Sequence, residues 1–80
     1  MRANATPYRA LSIRKLSPEH QLAIRKLVAA RGSIVGIAER MHVGENTVRD
    51  AMGGATFRKT TADRLERLID ELVAQGERAA

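Results

Sequence analysis

Eighty residues make one domain and not two, and a chain of this length buries only about 60% of the surface its unfolded form exposes. With no cysteine, and with His20 and His42 as the only histidines, neither disulfides nor a metal is expected to support so thin a core, which leaves a second copy of the chain. The 14 Lys and Arg against 9 Asp and Glu give a net charge of +5 and favour a polyanionic partner, while a single Tyr and a single Phe argue against modules that stack unpaired bases on aromatic side chains.

Residues 1–16 contain Arg2, Arg9, Arg14 and Lys15 and no acid, include Pro7, and show no helical period. They read as a flexible basic arm that begins to order near Leu11 and Ile13. Ser17-Pro18-Glu19 is a helix start: a hydroxyl to cap free amides, a proline suited to the first helical position, and an acid that complements the helix dipole. Ile24, Leu27, Val28 and one of Leu22 or Ala23 then repeat at helical spacing, and Gly32 is the expected stop, giving a helix near 18–31 with His20 exposed on its first turn.

Ser33 caps a shorter helix that carries Ile34, Ile37, Ala38 and Met41. A third runs from about Glu45 to Met52, with Val48, Ala51 and Met52 as its apolar positions and Gly53-Gly54 as its end. Phe57 is read as a plug between the following loop and the last helix. That helix is expected from Thr60 or Thr61 to about Gln75, with Leu65, Leu68, Ile69, Leu72 and Val73 as its stripe and Gly76 as its stop. Residues 77–80 should fray, and no segment reads as a strand. The apolar stretches are short and broken by charge, so neither a membrane span nor a signal peptide is expected, and the chain is placed in the cytoplasm.

The informative stretch is residues 34–53. Ile37, Met41, Val43, Val48 and Ala51 occupy the positions that would bury the inner faces of two short helices, Ala38 is small enough for a close crossing, and His42-Val43-Gly44 is a tight turn. This pattern resembles the helix-turn-helix of phage lambda repressor and Cro-like transcription regulators over those 20 residues, and more loosely over residues 18–75. The family usually has glycine where this chain has His42, because the backbone there is left-handed; histidine tolerates that region better than most residues. The resemblance implies an all-α compact four-helix bundle in residues 17–76, with the helix near 45–52 entering the major groove.

On that reading Glu45, Asn46, Arg49 and Asp50 match positions that the family uses for bases or phosphates. Asn46 suits adenine, Arg49 suits guanine, and Glu45 or Asp50 can accept from cytosine. Glu45 and Thr47 have a competing role in capping their own helix, and Asp50 a competing one in a salt bridge. Phosphate contacts are expected from Ser33, Thr47, Thr56, Arg58, Lys59 and Thr60, with arm contacts from Arg9, Arg14 and Lys15. The expected partner is double-stranded DNA carrying a palindromic operator, read by a homodimer that meets through Leu72 and Val73. No residue set suggests catalysis, and no cofactor, metal, small-molecule ligand or membrane is expected. Alternative readings are a protein-interaction module, such as an antitoxin or phage-encoded adaptor, and an RNA binder acting through the basic arm.

Overall fold

Ser17 opens the first helix by accepting the His20 amide on its Oγ at 3.1 Å, with Pro18 just inside the helix and Glu19 in its first turn. A cap of this kind contributes about 1 kcal/mol. The computed structural model describes residues 12–79, and the side chains of residues 12–76. Helix α1 spans Pro18–Arg31 and ends at Gly32, which takes the left-handed conformation (φ 73°) and returns its amide to Val28. Ser33 repeats the capping device on Gly36, at 3.1 Å, and starts α2, Ile34–Met41. After the turn at 42–44, α3 spans Glu45–Gly53 and closes on Gly54 at φ 80°.

Two short strands were not expected. Ile13–Lys15 forms β1 and Thr56–Arg58 forms β2, paired antiparallel with Ile13 opposite Arg58, Arg14 opposite Phe57 and Lys15 opposite Thr56. The Lys59 amide also donates to the Ser12 carbonyl at the end of this ribbon. Within the region expected to be a flexible arm, residues 13–15 thus form a strand, and Leu16, just after β1, is a core residue at 2% exposure. Residues 1–11, including Arg9 and Leu11, lie outside the described residues.

Helix α4 spans Lys59–Ala79, starting one residue before Thr60 and running through Gly76 rather than stopping there. A glycine inside a helix costs about 1 kcal/mol relative to alanine, which one residue among 21 can impose without ending the element. The molecule is thus mostly helical, with the ribbon packed on α4 and α1 packed against α2, α3 and α4.

The core is one cluster. Ile24 from α1, Ile37 and Met41 from α2, Val48 from α3, and Leu65 and Ile69 from α4 are its largest fully buried side chains. Truncating any of them to alanine is expected to cost about 2–5 kcal/mol. Phe57 packs against this cluster from β2, as the sequence suggests, together with Val43 and Met52. No polar or charged residue is fully buried among the described residues.

Candidate nucleic-acid interface

Helices α2 and α3 pack against each other across a turn of three residues. His42 sits at φ 60° and ψ 42°, the left-handed conformation, with its amide on the Glu39 carbonyl at 3.2 Å. The Val43 amide reaches back to Ala38 at 3.0 Å, so these two bonds form a Schellman closure of α2. Val43 is half-buried against the core, which fixes the direction in which the chain leaves the turn. Ala38 is 3% exposed, and Ile37, Met41, Val48 and Ala51 are buried with it.

The opposite side of α3 is polar. Glu45, Asn46, Arg49 and Asp50 are all exposed, and Thr47 is half-buried. Arg49 donates through Nη1 to Asn46 Oδ1 at 3.3 Å, and its Nη2 lies 3.7 Å from Glu45 Oε1. These three side chains therefore form one exposed group on the first two turns, held by contacts too weak to resist rearrangement around a partner. Gly44 precedes α3 and offers no side chain to cap it; its carbonyl accepts the Thr47 and Val48 amides at 3.1 and 3.3 Å, and the amides ahead of them have no side-chain cap. Arg25 of α1 donates to the Met52 carbonyl at 2.9 Å, fixing the far end of α3 to the scaffold. That contact was not legible in the sequence, because it spans 27 positions.

The expected phosphate contacts divide by what already engages them. Arg58 is exposed on the solvent face of the ribbon, beside Ile13, Lys15 and Thr56, and makes no ion pair among the described residues. Lys59 is shared with Asp63, Nζ to Oδ2 at 3.2 Å. Thr60 is exposed in the first turn of α4. Ser33 uses its oxygen to accept from Gly36 and keeps its hydroxyl proton for another acceptor.

Arg14 has a different role from the arm contact expected of it. Its guanidinium is turned onto α4, where it bonds both oxygens of Glu66 at 2.9 and 3.0 Å and also Asp63. These hydrogen bonds hold the Glu66 and Asp63 carboxyls below their ordinary range, with the Ser17 amide assisting at Glu66 and Lys59 at Asp63, and they raise Arg14 above its own. His20, expected to be exposed, is half-buried beside this clamp, with Nδ1 2.6 Å from Ser17 Oγ and Nε2 2.9 Å from Asp70 Oδ1. Of the expected arm contacts, Lys15 is exposed, its carbonyl accepting from Arg14 Nη1 at 3.0 Å and its ammonium making no ion pair among the described residues, and Arg9 lies outside them.

Ile13, near which the arm was expected to begin ordering, is 52% exposed on the same face of the ribbon as Lys15 and Arg58. The signal that could have revealed the ribbon was the alternation Thr56-Phe57-Arg58, one aromatic between two polar residues, with a β-branched residue at its start. Away from α3, Leu72 is buried and Val73 half-buried, and both line an apolar groove between α1 and α4. Among the described residues no three His, Cys, Asp or Glu side chains gather as a metal site would require, and no helix is long and apolar enough to cross a membrane. Comparison of the chain with protein-family models, with curated proteins and with solved structures gives no match in any of the three.

Proposed function

We propose that this chain binds duplex DNA sequence-specifically as a small transcription regulator of the helix-turn-helix type, acting in the cytoplasm as a homodimer on a palindromic operator. The observation that carries this reading is the α2–turn–α3 unit. Two short helices pack across a turn closed by a left-handed His42, with their apolar sides in the core and Glu45, Asn46, Arg49 and Asp50 exposed together on α3. A helix presented this way has its N-terminal side chains free to meet base edges in the major groove. Asn46 and Arg49 are the residues suited to paired contacts with adenine and guanine, each worth about 1–3 kcal/mol of discrimination.

The helix itself carries two acids, Glu45 and Asp50, against Arg49. Attraction to phosphate must therefore come from its surroundings, and Arg58, Lys15 and Lys59 on or beside the ribbon supply it together with the hydroxyls of Ser33, Thr56 and Thr60. Such contacts set the register of the protein on the duplex, while α3 reads the sequence.

The experiment that tests this reading is selection of bound duplexes from a random pool, repeated with Arg49→Ala. A palindromic site from the wild-type chain, with its preference relaxed at one position per half-site by Arg49→Ala, is the expected result. No enrichment at low salt, where phosphate attraction is strongest, would refute the proposal. A second reading, a protein-interaction module, is favoured by one observation: among the described residues an apolar concavity lies between α1 and α4, lined by none of the α3 residues.

A further inference from the structure

We propose that the groove between α1 and α4 is a self-complementary surface, on which a second copy docks with the two α1 helices antiparallel about an axis between Leu22 and Ala23. Leu22 is 47% exposed on the rim of this groove, and Ala23, Leu27, Leu72 and Val73 line it. The groove holds about 530 Å³, room for several side chains. A bulky apolar side chain thus stands in water beside a hollow floored partly by alanine. Two-fold packing resolves both defects at once, because each copy's Leu22 enters the other's groove.

The charges at the rim select this arrangement over a foreign occupant. Glu19 and Lys26 flank the groove on the same side of α1, and neither has a hydrogen-bond or ion-pair partner among the described residues. Seven positions apart, they are separated by about 10 Å along the helix and cannot pair within one chain. Their midpoint is the midpoint between Leu22 and Ala23. An antiparallel two-fold through that point brings Glu19 of each copy to Lys26 of the other, closing two identical ion pairs around the apolar centre. A parallel arrangement would place like charges together.

This inference rests on the proposed homodimer and not on DNA binding, and it moves the centre of the contact from the last helix to α1. The test is sedimentation equilibrium of the full chain without DNA, with far-UV circular dichroism to confirm that each variant keeps its helix content. The wild-type chain is expected to dimerise. Glu19→Lys and Lys26→Glu should each weaken association about tenfold, since each reversal turns two favourable rim contacts into repulsive ones. The double reversal should restore it, and Leu22→Asp should leave a monomer. If the wild-type chain is monomeric throughout, the homodimer itself is refuted. If it dimerises but ignores the single reversals, or if the double reversal does not rescue, the dimer stands and this interface is refuted.

Discussion

Arg14 of the ribbon grips both carboxylate oxygens of Glu66 on α4, at 2.9 and 3.0 Å, across 52 positions of sequence. Asp63, one turn earlier on α4, accepts from Nη2, which it shares with Glu66 Oε1, and the Ser17 amide donates to Glu66 Oε2 at 2.9 Å. The pair ties β1 and the start of α1 to the last helix. It converts a segment that is basic in sequence into a staple between the ends of the domain, and it withdraws one cation from any role toward phosphate.

Replacing Arg14 with alanine should therefore lower thermal stability and leave recognition of DNA unchanged. The fall in Tm should exceed that caused by Lys15→Ala, since the Lys15 side chain stands on the opposite, solvent-facing side of the ribbon and makes no ion pair among the described residues. Thermal unfolding checks the first half. The second half is checked by the salt dependence of DNA binding below the melting range. A slope reduced by about one in Arg14→Ala would mean a phosphate contact, contrary to the clamp.

The same clamp predicts acid sensitivity. Glu66 and Asp63 hold their protons less readily in the folded chain than in the unfolded one. Their contribution is fully present above the ordinary carboxylate range, about pH 4, and is lost as pH falls through the depressed folded values. Urea unfolding should give a wild-type stability advantage over Glu66→Gln that is constant from pH 7 to about pH 5 and shrinks steadily toward pH 3. A gap independent of pH would show that Glu66 acts through shape and not through its charge.

Local signals carried most of the helical frame. Ser17, Ser33, Gly32 and Gly54 mark helix ends through bonds made within a few residues, so a reader of the sequence can place them. The ribbon was not legible because each strand is three residues long and its partner is more than forty positions away. The roles of Arg14 and His20 were hidden for the same reason, since their partners Glu66 and Asp70 are on α4, 50 or more positions along the chain. At the candidate site, the outward side of α3 follows from helical periodicity, whereas the grouping of Glu45, Asn46 and Arg49 depends on rotamers that periodicity does not specify.

His42 is a point where the sequence opposes its own backbone. A side chain in the left-handed region costs about 1–2 kcal/mol, and glycine escapes that cost while losing some of the gain to its freer unfolded state. His42 is exposed, so its removal sacrifices no packing. His42→Gly is expected to stabilise the fold by about 0.5–1 kcal/mol, and His42→Val to destabilise it by about 1–2 kcal/mol. Urea midpoints at unchanged slope would measure both. Equal stability of the three chains would mean that the turn relaxes to another conformation.

Arg58 and Lys59 are adjacent in sequence but differently committed. Arg58 has no ion-pair partner among the described residues, whereas Lys59 already neutralises Asp63 at 3.2 Å. A free cation gains its full Coulomb attraction to phosphate, while a paired one must first give up its carboxylate. Arg58→Ala is therefore expected to weaken binding to all duplexes alike and to reduce the salt slope by about one. Lys59→Ala should do less, and Asp63→Asn, which releases Lys59, should strengthen binding to any sequence at the expense of the Arg14 clamp. Titrations of one selected and one scrambled duplex across a range of salt would separate these effects. If Lys59→Ala matched Arg58→Ala in slope, the ion pair with Asp63 would have to open on DNA, and phosphate would then be the stronger partner for Lys59.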